Sequence, residues 1–592
     1  MGSRMSSFLQ DQFQLPTLLP TPTFTCSFPA RHLPSLKLSK TTKAVALIIT
    51  NETLEKMCSI GAVSLLQPFL TEAFNFTPDQ ARTTMFLYGG ITNLVPVLGA
   101  VVSDSYLGRF TTLSISTPCS LLAAVLLMLT AFPGMHPRQE RKAEAWQMAL
   151  LYGSFFFFTL AAAGIRSCNL PFGIDQYDLT TEAGQRGKER FVSWNYASFT
   201  LSITASVIVI PIVQEITKSW VVGFLIPTCF MMLSCLLFFA GLPLYLKSKP
   251  EGSPQVSVLR VFIASFRNRN LPLPSDPNHL FTCPSHGQPA ATVCTTNHLR
   301  MLEKAAILPA AISSNAGEEE EEGPEITTAR PSAVDYHRQY PWRLCSIEQV
   351  EDAKSVVKVM LMWAPAIIYQ MGASELQGHG YSQAAAMDRK MGPNLKFPAA
   401  SIGIFSAVAL TTWVTVYDNV IVPLARKRRN SSSSGDHNRL LELSILQRMG
   451  IGMCISTLAV VVAGIVEGQR RRHVEPTSVF WLVPQLVLLG VAEGFNGVAQ
   501  IEFYHAELPA TMASLTGGFF ALGYSFASFA AALLESIVRA TTRSPDNKKI
   551  HWLSDNGGKL DHHYFVVAGL ATLNLAWFLF MAKRYKLRPG AN

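Results

Sequence analysis

Twelve runs of mainly apolar residues constrain this chain more than any other feature. They lie at about 43–71, 83–105, 110–132, 146–170, 191–213, 219–246, 355–377, 397–424, 441–466, 478–504, 512–538 and 562–583. A helix that crosses the hydrocarbon core needs roughly 20 such residues, and each run meets or approaches that length. The expected class is therefore an all-α membrane protein with twelve transmembrane helices. Six runs end before residue 247 and six begin at about 355 or later. That division predicts a tail at 1–40, a six-helix half at 41–247, a linker at 248–354, a second six-helix half at 355–584 and a short tail at 585–592.

Composition agrees. Of 592 residues, 49% are hydrophobic and only 15% charged, against about 25% charged in a soluble globular chain. A single large soluble enzyme and a disordered protein are both excluded. The net charge of +9 is read as a membrane signal and not as a nucleic-acid footprint, because the chain is so apolar. Arg426–Arg429 and Lys583, Arg584, Lys586 and Arg588 account for most of that excess. Both groups fall on one side if twelve helices alternate, which places the termini in the cytosol. Arg470–Arg472 is a counter-signal on the other side. Ten cysteines show no CxxC or other metal spacing, so they read as small hydrophobes and no metal is expected. There is no Gly-rich phosphate loop, no HExxH and no GxSxG, so neither ATP hydrolysis nor nucleophilic catalysis is expected.

Inside the linker, Val256–Arg267 has apolar residues near helical spacing with Arg260 and Arg267 on the other face. It predicts an amphipathic helix lying on the bilayer or on the bundle. The acidic run Gly317–Gly323 predicts a solvated segment, since like charges repel. The first 40 residues lack an apolar secretory h-region. Their Pro, Ser and Thr content weakly resembles a plastid transit peptide, Met1–Ser6 matches a myristoylation pattern, and an ordinary cytosolic tail is the default. Asn75-Phe76-Thr77 is an acceptor for glycosylation in the first external loop.

Charges within the apolar runs are the most informative residues, because each costs about 2.5–3.5 kcal/mol on insertion scales. Glu52, Glu55 and Lys56 interrupt the first run at spacings that share one helical face, where Lys56 compensates the carboxylates. Two readings stand: a structural ion cluster, and an acid pair whose proton affinity a neighbouring cation tunes. Arg166 lies near the end of the fourth span and Glu493 in the middle of the tenth. An unpaired charge there is expensive, so a bridge between them is one expectation, with a functional or a purely structural role. Tyr88, Trp363, Phe495 and Tyr504 are candidates for a cavity lining, against the plainer reading of packing. Gly490, Gly494 and Gly497 permit close packing of the tenth span.

These residues, taken with others, resemble the plant nitrate/peptide transporter family, the plant branch of the proton-dependent oligopeptide transporters in the major facilitator superfamily. Glu52-Thr-Leu-Glu55-Lys56 matches the ExxE(K/R) motif. Asp104–Arg109 matches D-x-Y-x-G-R, Phe172–Gln176 corresponds to FGADQ, and Trp194-Asn-Tyr196 to WYY. Met387-Asp388-Arg389, Val416-Tyr417-Asp418, Gln500–Tyr504 and Ser554–Asn556 fit the second half. The resemblance covers about residues 41–585. It departs at Ile165-Arg-Ser-Cys168, where a Pro is usual and its loss bears on the bend of the fourth span. It departs again at Ile174 and at Asn195.

The resemblance implies the major facilitator fold and a proton-coupled symporter working by alternating access, with no cofactor and no enzymatic activity. It implies that Glu52, Glu55 and Lys56 bind and release protons, and that Arg166 and Glu493 serve substrate binding and gating, with Tyr88 and Trp363 beside them. The nitrate-binding His known ten residues after the helix-7 Trp falls at Ala373, so nitrate held in that particular manner is not expected. Glu375 and His379 lie near but not at that place. Thr112 matches a site phosphorylated in some relatives, against a plain loop threonine. The expected solute is nitrate, a peptide, a hormone or an anionic secondary metabolite. The alternative is a transport-inactive membrane sensor of such a solute. Expected partners are the solute, protons and the lipid bilayer, with no nucleic acid, the chain being a monomer or weak homodimer. The plasma membrane is the expected location, with the vacuolar and plastid membranes as alternatives.

Overall fold

The computed structural model describes residues 40–585, apart from 138–142, 179, 249–251, 274–279, 283–297, 309–335, 338, 393–395, 422, 424–442, 474, 510–511, 513–514, 544–550 and 555–557. The N-terminal tail, the acidic run, Arg426–Arg429, Asp555, Asn556, Lys586 and Arg588 lie outside the described residues.

In chain order the long helices are α1 (Lys40–Glu72), α2 (Pro78–Val102), α3 (Arg109–Thr130), α4 (Ala145–Ile174), α5 (Glu182–Thr217) and α6 (Trp220–Ala240). They continue as α7 (Ile347–Ala385), α8 (Ile404–Val416), α9 (Ile445–Arg472), α10 (Val483–Glu507), α11 (Leu515–Thr541) and α12 (Leu560–Arg584). Among the described residues, pairing between extended segments is limited to isolated bridges such as Asp388 with Ser478. Among the described residues, eleven helical segments are long and apolar enough to span a bilayer, α8 qualifying as part of the longer Ala399–Ile421. The expected twelfth, α1, has 33 residues but falls outside that set; Glu52, Glu55 and Lys56 hold its hydropathy down. Large apolar side chains such as Phe156, Leu201, Leu236, Leu533 and Leu573 remain exposed along the spans. Such a surface is a liability in water and the normal lipid-facing surface of a multi-pass membrane protein.

Local chemistry sets the helix ends. α2 starts with Pro78 at its first turn and a reciprocal cap between Thr77 and Gln80, a pairing that satisfies two free N–H groups. It runs through a π-helical turn, Ser103–Leu107, to Gly108, whose φ of 78° favours glycine. The DxYxGR segment is thus a built corner. Arg109 pairs with Asp104 at 3.4 Å and with Asp175 at 2.6 Å, and Asp175 also accepts from the Ser248 hydroxyl at 2.9 Å. Gln176 bonds both backbone groups of Leu246. The two motifs therefore pin α3, the end of α4 and the chain after α6 together. α4 continues as one helix through Ser167, whose hydroxyl donates back to the Ala163 carbonyl at 2.7 Å.

By contacts the chain forms two compact units, one of Met1–Pro250, Ile367–Ala499 and Ala521–Ala576, the other of Glu251–Ala366, Gln500–Phe520 and Trp577–Asn592. In the first, Leu65, Phe69, Phe74, Leu127, Phe155, Phe224 and Met231 form one apolar core. A second core there joins Leu376, Val460, Leu489, Tyr564 and Val567, and Ala373 is part of it. Gly490 approaches the Ser406 carbonyl, and a Cβ on Gly494 would meet Trp413 at 2.7 Å, so both glycines seat α10 against α8.

In the second unit the linker helix covers Pro254–Arg267. Val261 and Ala264 pack with Leu280, Leu302, Ala305, Ala306, Cys345 and Ile347, making a small core with other linker residues and the start of α7, while Leu259, Phe262 and Phe266 stay exposed. Ser265 donates to the Met301 carbonyl at 2.6 Å, and Lys354 pairs with Glu303 at 2.8 Å.

Candidate functional site

The first constellation lies on α1. Asn51 fixes this turn: its side-chain amide donates to the Ser234 carbonyl at 3.1 Å while the Ser234 hydroxyl donates to the Asn51 carbonyl at 2.9 Å. The reciprocal pair locks α1 to α6. One turn on, the buried Lys56 ammonium donates to Glu55 Oε2 at 2.9 Å. Glu52 is half-buried, and among the described residues its Oε2 has no hydrogen-bond partner. Lys56 thus compensates Glu55 by contact and Glu52 only through space. Beside Glu52 stands Asn195 of α5, the residue at which the WYY pattern becomes Trp-Asn-Tyr, so that departure puts an amide next to the acid.

Arg166 on α4 is the second element. Its Nη1 donates to Asn93 Oδ1 at 3.1 Å and to the Thr92 carbonyl at 3.4 Å, both on α2. The side chain is exposed, and among the described residues no carboxylate lies within ion-pair distance of it. Between Arg166 and the α1 motif stands Tyr88, whose hydroxyl neighbours Arg166, Cys58 and Glu55 and whose ring packs on Phe155 with centroids 5.0 Å apart.

Glu493 on α10 accepts from the Tyr524 hydroxyl of α11 at 2.8 Å, with Tyr369 of α7 nearby. The expected Arg166–Glu493 bridge is therefore not formed: each has a neutral partner instead. Charge burial said that both need partners, and polar neutral groups meet that need here. Trp363, in the other unit, is buried and donates its indole N–H to the Phe519 carbonyl at 2.8 Å. Thr112 is not a loop residue. It sits in the first turn of α3, buried, with its hydroxyl donating to the Gly108 carbonyl at 3.0 Å, where a kinase has no access in this conformation.

A further buried polar network escaped the sequence reading except for Glu375 and His379. Arg82 at the start of α2 is almost wholly buried. It pairs with Asp79 at 2.8 Å and, through Nε, with Glu535 of α11. Glu535 also accepts from Thr83 at 3.2 Å. His379 Nε2 lies 3.4 Å from Glu535 and 3.3 Å from Glu375. Glu375 meets His563 Nε2 of α12 at 3.1 Å, and Asp79 meets His551 at 3.0 Å. Burial pushes the His551 imidazole below its ordinary value against the pull of Asp79, and the guanidiniums of Arg539, Arg82 and Arg543 add to that push. Further along, Gln383 of α7 joins Tyr564 to Glu467, which holds Arg470 and Arg471. The counter-signal arginines of the topology argument are thus neutralised in part by Glu467. One sign of this network was legible: Glu535 is a carboxylate inside an apolar run, of the same kind as Glu493.

The PTR2 model, described as the POT family, matches residues 110–553. Protein NRT1/PTR FAMILY 2.13 of Arabidopsis thaliana is 33% identical, covering 93% of this chain and 87% of that protein. NRT1/PTR FAMILY 2.9 of the same plant is 34% identical over 92% of each chain. Among solved structures, the POT family transporter PepTSo superposes with a TM-score of 0.64 at 16% identity, covering 92% of this chain and 98% of that one. A POT family transporter in complex with 5-aminolevulinic acid gives 0.55 at 11%, covering 91% and 95%. The arrangement of helices is that of the major facilitator fold, and the chain belongs to the POT family of membrane transporters, as a relative of the plant NRT1/PTR proteins.

Proposed function

We propose that the chain is a proton-coupled symporter of a small anionic or carboxylate-bearing solute. A proton taken up by Glu52 or Glu55 releases Lys56 from its contact with Glu55, and the freed ammonium changes the balance between outward-open and inward-open states. The two halves rock about a site near the membrane midplane. One proton crossing 100 mV releases about 2.3 kcal/mol, enough to bias such an equilibrium by roughly fifty-fold.

The observation that carries the substrate class is Arg166. An exposed guanidinium whose described partners are the neutral oxygens of Asn93 and Thr92 has bidentate capacity left for a carboxylate or another oxyanion. Glu493, held by Tyr524, suits a donor group elsewhere on the solute. No cofactor is needed, and the plasma membrane is the proposed location. Oocytes expressing Glu52→Gln and Glu55→Gln test the coupling: both variants should lose acid-stimulated uptake and current. Normal pH dependence in both overturns the assignment. Binding without flux across a broad panel of anions returns the sensor reading.

A further inference from the structure

We infer that Glu375, His379 and His563 form a binding site for a divalent transition-metal ion of the zinc class, independent of the proposed solute site. Glu375 and His379 are one helical turn apart on α7 and so share a face; His563 comes from the first turn of α12. Their ligand atoms all lie within 4.8 Å of one another, and all three side chains are buried to 1% exposure or less.

The distances from Glu375 to both imidazoles match the ion. Bonds of about 2.0–2.1 Å in a tetrahedral zinc site set neighbouring ligand atoms about 3.3–3.4 Å apart by geometry alone. Glu375 Oε2 is 3.3 Å from His379 Nε2 and 3.1 Å from His563 Nε2, and His379 Nε2 is 3.4 Å from Glu535 Oε1. Two imidazoles and a carboxylate are a donor set that zinc uses with a fourth position left open. Glu535, bonded to Arg82 and Thr83, borders His379 beside this set and is not a ligand of it.

Hydrogen bonding leaves one of these ligand atoms unused, while Glu375 Oε2 and His563 Nε2 bond each other. His379 Nε2 sits between two carboxylate oxygens with no aligned hydrogen bond to either, and among the described residues Glu375 Oε1 and His563 Nδ1 have no partner. Buried polar atoms are normally satisfied, and an ion placed among them would use His379 Nε2 directly. Charge favours a cation: Glu375, Glu535 and Asp79 face Arg82, with Arg539 beyond on the Thr83 hydroxyl. Magnesium does not fit this set, since it prefers oxygen donors in octahedral geometry.

A bound ion would join α7 to α12. It enters when these helices part and then holds them in the conformation described here.

The test uses the full-length protein, purified without a histidine tag. Zinc is titrated by calorimetry, cobalt serves as the spectroscopic probe, and magnesium is the control. The expected result is one saturable zinc site per chain, visible d–d bands of four-coordinate cobalt, and a raised melting temperature. His379→Gln and His563→Gln should each weaken binding by on the order of tenfold or more, while the exposed His562→Gln leaves it unchanged. X-ray absorption of zinc on the unaltered protein should show two imidazoles and a carboxylate, a readout that stands even if a variant fails to fold. Absence of saturable binding, equal binding by magnesium, equal binding by folded His379→Gln and His563→Gln, or a zinc shell of thiolates each overturns the proposal. None of these outcomes depends on whether the solute assignment is right.

Discussion

Arg82→Met removes the guanidinium that Asp79 and Glu535 share. Breaking a buried pair by deleting one partner costs about 3–5 kcal/mol, because the remaining charge has no compensation. The lower end applies here. Asp79 keeps His551 at 3.0 Å and Glu535 keeps Thr83 at 3.2 Å, so the expected cost is roughly 3 kcal/mol, or about a hundredfold in population. That cost falls on the conformation in which α2 meets α7, α11 and α12, and not on one in which they have separated. Hydrogen–deuterium exchange of the α1–α2 turn and the first turn of α12 should therefore accelerate by one to two powers of ten where opening limits exchange. The double variant Arg82→Met/Glu535→Leu provides the control, since an apolar replacement of a buried pair is often neutral or stabilising. It should restore protection. Unchanged exchange in a folded Arg82→Met protein, or a double variant less protected than the single, would refute the reasoning.

Arg166→Ala should raise KM for an anionic solute on the order of tenfold to a hundredfold, the worth of a charged hydrogen bond, with Arg166→Lys partly active; equal KM for both would remove Arg166 from the site. Gly494→Val drives a side chain into Trp413, so overpacking of about 1–3 kcal/mol should lower the melting temperature. A neutral result would mean that α8 and α10 can part there at no cost. His551 has its imidazole pushed below the ordinary 6.5, so its neutral form is favoured in the folded state. Its contribution is full above that value and is lost as the pH falls below it. His551→Asn should flatten the difference in melting temperature between pH 7.5 and pH 5, which scanning calorimetry or intrinsic fluorescence would show.

Much of the fold was legible because the bilayer demands it. Span length is fixed by hydrocarbon thickness, so apolar runs located the helices to within a few residues at most ends, although α1 fails a purely hydropathic count. Charges in those runs led to Glu52, Glu55, Lys56, Arg166 and Glu493, and Asp104–Arg109 stood out as a motif, although the corner built on the positive φ of Gly108 shows only in the fold. Pairing across helices was not legible. Arg166 and Glu493 looked like mutual partners because both needed one, yet Asn93 and Tyr524 meet the need as neutral groups. The linker helix showed an apolar face without showing what covers it. Arg82 escaped notice because it stands just before the second apolar run, where a basic residue looks like an ordinary helix-end cation; its burial comes from α7 and α11, far away in the chain.

The central claim is that flux through this chain is driven by protons bound at Glu52 and Glu55. It is tested most directly in proteoliposomes, by following accumulation of an anionic solute under an imposed inward proton gradient, with and without a protonophore. Accumulation above equilibrium that collapses with the protonophore, and that Glu52→Gln and Glu55→Gln abolish while leaving exchange of preloaded solute intact, is the predicted result. Accumulation indifferent to the protonophore, or retained in both variants, would contradict it.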